Sequence, residues 1–134
     1  KASATLPWIR LDGQALWLES STDDPRFPGG EIPKVPWWTS SLEAVGVRRF
    51  GIEPGVEWQF TGASHDLLGT ERVELPAVHR WNLRMSWASA GFRQGKAGAE
   101  VYARLDNAFD VPWFPQMGLP ADGRTWSTGA NLSF

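Results

Sequence analysis

The stretch Arg80-Trp-Asn-Leu-Arg-Met-Ser-Trp87 alternates without interruption between polar and apolar side chains. Trp81, Leu83, Met85 and Trp87 fill every second position, with polar residues between them. Successive side chains of a β-strand point to opposite faces, so this pattern predicts a strand with one apolar and one polar side. An amphipathic helix would instead space its apolar residues three and four positions apart. The period of two therefore indicates β-structure.

The same alternation recurs along the chain and predicts an all-β, antiparallel fold with about six strands. The other five segments are residues 8–19, 37–48, 55–63, 99–106 and 125–134. The segment 37–48 has the weakest pattern, because Val45 and Val47 interrupt its polar side. Two structures produce such strands: a sandwich with one wet face, and a membrane barrel with lipid outside and water inside.

Long and short connections alternate between these segments. Residues 20–36, 63–78 and 107–124 form long connections, whereas 49–54 and 89–97 are short. Transmembrane barrels combine extended outer loops with tight periplasmic turns. About ten residues at ~3.3 Å each, tilted near 45°, also span roughly the ~25 Å apolar band of such a barrel. We therefore predict an antiparallel transmembrane β-barrel segment, with the three long connections outside and Phe134 at the periplasmic end.

Aromatic residues lie near the ends of the predicted strands. That placement is typical of the aromatic girdle that meets lipid headgroups, whereas a sandwich would more often hold bulky rings in its core. The predicted lipid-facing girdle consists of Trp8, Trp17, Trp81, Trp87, Trp126 and Phe134.

The composition limits the remaining classes. The 134 residues include nine Trp and no Cys, with a formal net charge of −2, which excludes a disulfide scaffold and gives no general attraction to nucleic acid. No stretch approaches the ~20 continuous apolar residues of a transmembrane helix. The chain begins at Lys1 without a visible signal peptide, so we expect it to be a piece of a longer protein.

The last thirty residues carry distinctive motifs. They are Ala103-Arg-Leu-Asp-Asn-Ala-Phe-Asp110, Trp113-Phe-Pro115, Gly118-Leu-Pro-Ala-Asp-Gly-Arg-Thr125 and a final strand ending at Phe134, with Glu31-Ile-Pro-Lys-Val-Pro36 earlier in the chain. Together they resemble the C-terminal strands of TonB-dependent outer-membrane receptors, although Ala108 and Asp122 replace the usual Leu and Pro. Independently of the resemblance, Asn107 and Asp110 are expected to bond nearby backbone in turns, and Gly123 to supply a backbone angle that other residues resist.

The resemblance implies that residues 1–134 are the C-terminal part of a receptor barrel of about 22 strands. Six strands cannot close a barrel, so the plug domain and earlier strands are expected elsewhere in the protein; a self-assembling oligomeric barrel is the alternative. The implied function is import of a scarce nutrient, such as a siderophore or cobalamin, without catalytic activity. The implied partners are outer-membrane lipid, the remaining strands and plug, the TonB complex through the missing N-terminal part, and the barrel-assembly machinery through the C-terminal strand.

Ligand contacts are expected in the long connections, from Arg26, Phe27, Trp113, Phe114 and Gln116. Tryptophans at the borders between loops and strands could alternatively stack against a ligand.

The candidate catalytic and metal-binding residues lack the spacing that a catalytic triad or a metal site requires. Ser64-His65-Asp66 is expected to be an exposed loop, because a catalytic triad is assembled in space rather than from neighbours in sequence. His65 and His79 have no carboxylate at metal-ligand spacing, and Asp23-Asp24 with Glu19 is expected to be a solvated acidic loop rather than a calcium site. No enzymatic activity, cofactor or metal is therefore predicted.

Two alternatives remain open. A passive porin or channel would show the same alternation but would lack a plug domain. A soluble Trp-rich β-sandwich would use its tryptophans to bind a ligand, and would be freely soluble without detergent.

Overall fold

The structure, a computed structural model, describes residues 1–19, 21, 23, 25–26 and 32–134. Seven strands form one antiparallel sheet in the order β1-β2-β3-β4-β7-β8-β9, and β5 pairs with β6 in a separate hairpin. The strands are β1 Ala2–Thr5, β2 Ile9–Trp17, β3 Trp38–Gly46, β4 Ile52–Thr61, β5 Ser64–Leu68, β6 Glu71–Leu75, β7 Val78–Ala88, β8 Gly98–Asp106 and β9 Thr125–Ser133. The sheet is open, because β1 and β9 each pair on one side only.

The register of the strands gives the sheet one mainly apolar face and one mainly polar face. One row pairs Leu11 with Ala44, Ala44 with Val56, Val56 with Leu83 and Leu83 with Leu105. The neighbouring positions belong to the opposite face, which is polar. We call these the apolar face and the polar face of the sheet. A shift of one residue in any pair would exchange the two faces, so the alternation excludes registers that are shifted by one residue.

The all-β prediction is confirmed, and the six predicted segments correspond to β2, β3, β4, β7, β8 and β9. The sequence did not reveal β1, whose pairing with β2 adds a seventh strand to the sheet. It also missed the hairpin of β5 and β6, which lies inside the predicted long connection 63–78. The prediction that Ser64-His65-Asp66 is an exposed loop is wrong, since these residues begin β5 and Asp66 is buried.

The ends of the strands differ from the prediction at two short connections. β4 begins at Ile52 rather than Gly55, and includes Pro54. Pro54 is tolerated because the pairing of β3 with β4 ends at Gly55, so its missing N–H leaves no partner on β3 unsatisfied. Within 89–97, residues Ala90–Arg93 form the single-turn helix α1, and the Ser89 side chain caps it by accepting from the N–H of Phe92.

A tight turn joins β3 to β4. Arg49 and Ile52 exchange two backbone hydrogen bonds, and the residues between them, Phe50 and Gly51, both have positive φ, at 52° and 90°. This is the φ pattern of a two-residue hairpin turn whose twist matches that of the flanking strands. A side chain on Gly51 would place Cβ 2.6 Å from the carbonyl oxygen of Ala88, so the turn needs glycine there for space as well as for φ.

Few apolar side chains are buried in the described part of the chain: Val45, Leu75, Val78 and Ala88. Val45, Val78 and Ala88 lie on the polar face, and Leu75 lies in the hairpin. Val45, which interrupts the sequence alternation, is thus one of the few core residues. The apolar face contributes none of them. Among the described residues, no helix is long and apolar enough to cross a membrane.

Candidate functional site

The apolar face is uncovered in the part of the chain that the structure describes. Leu83 is 44% exposed, Met85 56%, Val101 46% and Leu132 66%, although all lie within strands. The strands contact their sheet neighbours, and no second layer of described residues packs over this face. Burying a Leu or Val side chain stabilises a protein by about 1.5–3 kcal/mol. Several such side chains exposed to water would therefore leave a large stabilisation unrealised. Such an exposed apolar face is typical of an interaction surface.

Aromatic residues lie at both ends of the sheet: four of the predicted girdle occupy apolar-face positions, and Trp8 and Phe134 lie just outside the strands. Trp17, Trp81 and Trp126 lie towards the end that carries the long connections. Trp8, Trp87 and Phe134 lie at the end that carries the short connections. The predicted girdle therefore separates into two bands across the sheet, which is the arrangement expected where two water–lipid interfaces flank an apolar layer.

Further aromatic residues join the band near the long connections. Trp38 meets Trp17 edge to face, with ring centroids 5.6 Å apart. Trp58, Phe60 and His79 form a stacked cluster, and the Trp58 indole Nε1 donates to His79 Nδ1 at 3.3 Å. His79 thus provides the hydrogen-bond acceptor for the indole N–H of this aromatic cluster.

The polar face carries a network of ion pairs near the short connections. Arg48 reaches across from the turn between β3 and β4 and donates to Glu100 and Ser86, each at 3.0 Å, and lies 3.5 Å from Glu53. Asn131 on β9 donates to the other oxygen of Glu100 at 3.3 Å. Because Arg48 is only 24% exposed, its interactions are screened less than those of a surface pair.

The centre of the polar face continues this pattern. Arg84 lies 2.9 Å from Glu43, two strands away. Glu57 accepts hydrogen bonds from Asn82 at 3.0 Å and Gln59 at 2.9 Å. These charged and amide side chains pair with one another across and along the strands, so this face suits contact with water or with another polar surface.

A cavity of about 310 Å³ opens on the polar face near the long connections. The Trp113 indole is part of its lining, and the Arg80 guanidinium lies 4.2 Å from the centroid of the indole ring. Arg80 Nε is buried, with no hydrogen-bond partner among the described residues. Stacking on an aromatic ring is one of the few favourable contacts for a partly desolvated guanidinium. The lining also includes Asn82, Arg104, Asp106 and Thr125.

The connection 107–124 is held in place by side chains that bond to backbone. Asn107 and Asp110 both have positive φ, at 49° and 55°. The Asn107 side chain bonds both the N–H and the carbonyl of Val111, and Asp110 accepts from the N–H of Arg124 at 2.7 Å. The expected turn roles of these two residues are confirmed.

The expectation for Gly123 is wrong. Its φ is not in the left-handed region. A Cβ at this position would instead lie 2.7 Å from Asp110 Oδ1, so glycine leaves room for the carboxylate that binds the Arg124 N–H.

Asp66 is the buried acidic residue of the hairpin. Its Oδ1 accepts from the N–H of Leu67 at 2.8 Å, and its Oδ2 accepts from the N–H of Met117 at 2.7 Å. Burial opposes ionisation of this carboxyl, but the two N–H donors and the Lys34 ammonium outweigh burial and hold the pKa of Asp66 below its usual value of 3.8.

The predicted ligand-contacting residues have different positions. Trp113 lies over Arg80, Gln116 accepts from Lys34 Nζ at 3.3 Å, and Phe114 is exposed. Arg26 is exposed in a turn, and Phe27 lies outside the described residues. In the structure, Trp113 contacts Arg80 and Gln116 contacts Lys34. The sequence analysis predicted neither of these partners.

No group of three His, Cys, Asp or Glu side chains among the described residues could hold a metal ion. Of the acidic residues Glu19, Asp23 and Asp24, Asp24 lies outside the described residues.

The chain matches no protein-family model, and no curated protein is significantly similar to it. Sequence comparison therefore identifies no family. The structure establishes an open, antiparallel seven-stranded sheet with an uncovered apolar face and a charged opposite face.

Proposed function

We propose that this chain is part of the wall of an outer-membrane β-barrel, with the apolar face in contact with lipid and the polar face towards the lumen. The observation that carries the proposal is the exposed apolar face, opposite a face whose charges pair across strands. A soluble sandwich would need a second sheet over these side chains. A barrel in lipid needs none, because the lipid tails cover them.

Two further features support this proposal. β2, β3, β4, β7, β8 and β9 have nine to eleven residues each, which at ~3.3 Å per residue and ~45° tilt span roughly 21–26 Å. The open edges of β1 and β9 would leave backbone groups unsatisfied in lipid, so in this proposal further strands of the same protein complete the barrel.

A pair of neighbouring residues on β8 offers a direct test. Val101 and Tyr102 are 46% and 44% exposed and lie on opposite faces. The chain has no cysteine, so Val101→Cys and Tyr102→Cys, made in the full-length protein with any cysteines outside this segment replaced, can each carry a single environment-sensitive fluorophore. In vesicles with brominated phospholipids, the label at 101 should be quenched strongly and the label at 102 weakly. Equal quenching at both positions would contradict a lipid-facing apolar face.

Within this class we propose a TonB-dependent receptor that imports a scarce nutrient of the siderophore or cobalamin type. The support is the resemblance of residues 103–125 and of the final strand to that family, together with a connection 107–124 that contributes Trp113 to the lining of the polar-face cavity. An uptake assay distinguishes this function from passive diffusion. Accumulation of the labelled nutrient against its gradient should stop when the inner-membrane proton gradient is collapsed, whereas flux that continues would indicate a channel.

A further inference from the structure

The three long connections meet at one buried carboxylate. Asp66 belongs to the hairpin between β4 and β7, and it accepts from the N–H of Met117, which belongs to the connection between β8 and β9. Lys34, in the connection between β2 and β3, donates its backbone N–H to the carbonyl of His65 at 2.7 Å. Lys34 Nζ also donates to Gln116 Oε1 at 3.3 Å.

The geometry of this junction shows which contact dominates. The Asp66 side chain is 7% exposed, and its two oxygens lie 2.7 and 2.8 Å from their N–H donors. The Lys34 ammonium is half-exposed and 3.9 Å from Asp66 Oδ1, which makes it a weak ion pair. Charge-assisted hydrogen bonds in a desolvated site are the stronger interaction, so the Met117 N–H to Asp66 contact is the main fastening.

Lys34 has a positive φ of 65°, which is unfavourable for a residue with a long side chain. Such a conformation persists where the surrounding contacts hold it. The hydrogen bonds that Lys34 makes to His65 and Gln116 are contacts of this kind.

We propose that Asp66 is a positioning residue that fastens the three long connections into one unit, so that loosening this carboxylate frees all three together. The inference concerns the fold of the connections and does not depend on a membrane or on the transported ligand. Its consequence for a ligand is nevertheless direct, because Gln116 and Trp113 belong to the connection that Asp66 holds.

Amide hydrogen exchange of the full-length protein tests the proposal. Asp66→Asn keeps the shape of the side chain but removes its charge and leaves one acceptor oxygen for the two N–H donors of Leu67 and Met117. We expect the amide of Met117 to exchange about ten- to a hundredfold faster, as for loss of a hydrogen bond to a charged group. We also expect faster exchange in residues 32–35, which lie in a different connection, with the strands β2–β4 and β7–β9 unchanged.

Two variants make the result decisive. Asp122→Asn removes an exposed charge from the connection 107–124 and should leave exchange in residues 32–35 unchanged. Lys34→Met should have a smaller effect than Asp66→Asn, and the double variant should show less than the sum of the two effects, because both remove parts of one junction. Faster exchange confined to residues 66–68 and 117, or additive effects of the two substitutions, would overturn the proposal.

Discussion

Placing an arginine at Leu83 separates a lipid-facing sheet from a water-facing one. Leu83 is the central residue of β7, between Val56 and Leu105 on the neighbouring strands. Five residues separate it from either end of the strand, which at ~3.3 Å per residue and ~45° tilt is about 12 Å of depth. At this depth a charged group lies in hydrocarbon. We expect Leu83→Arg to lower the free energy of unfolding by about 2–4 kcal/mol, or roughly 30- to 900-fold in the equilibrium constant.

The same change would be nearly neutral if this face met water. Leu83 is already 44% exposed, and substitutions at exposed positions usually change stability by about 0.5 kcal/mol or less. A lipid-facing and a water-facing apolar face therefore predict clearly different losses in the free energy of unfolding for Leu83→Arg.

The assay is reversible urea unfolding of the full-length protein in phospholipid vesicles, followed by tryptophan fluorescence. Ser127→Arg is the matched control: it also introduces an arginine within a strand, but on the polar face, opposite Arg104. We expect Ser127→Arg to lower the free energy of unfolding by less than about 1 kcal/mol, because it places two exposed like charges opposite each other. Equal stabilities for the two variants would refute the assignment of the faces.

Three further outcomes are expected. Arg48→Met should lower the free energy of unfolding by about 1–3 kcal/mol in urea titration, because it leaves two half-buried carboxylates without their cation. Gly51→Ala should destabilise the fold more than Gly69→Ala in the same titration: both have positive φ, but only at Gly51 would the added Cβ meet backbone, 2.6 Å away. Trp113→Leu should remove the ring from Arg80 and weaken ligand binding, measured by calorimetry, whereas Trp113→Phe should retain most of the affinity.

Most of the main sheet was predictable from the alternation of side chains. Six of its seven strands lie in segments with a period of two, interrupted only in 37–48, and this period is a local property of the chain. β1 was missed because four residues, Ala2–Thr5, are too few to show a reliable pattern. The connection 49–54 was predicted to be short, but its two-residue turn at Phe50 and Gly51 was not predicted, because Phe is an unusual residue at a position with positive φ.

The candidate site was less predictable. Trp113 and Gln116 were expected to face a ligand, and this remains a prediction, but nothing near them in sequence indicated that Arg80 and Lys34 would be their partners. Asp66 was assigned to an exposed loop because it falls in the predicted long connection 63–78, and because residues adjacent in sequence do not make a catalytic triad. In the structure Asp66 is buried and accepts from the N–H of Met117, which lies 51 positions later in the chain.

The sequence by itself determined which side chains share a face, because a strand sends successive side chains to opposite sides wherever it lies in the fold. Only the tertiary structure decided that the apolar face stays uncovered, that Arg48 pairs with Glu100, and that Asp66 joins three connections. The Arg48–Glu100 and Asp66–Met117 contacts join residues about 50 positions apart. They follow from strand register and from the paths of the long connections, neither of which is encoded in any local stretch of the chain.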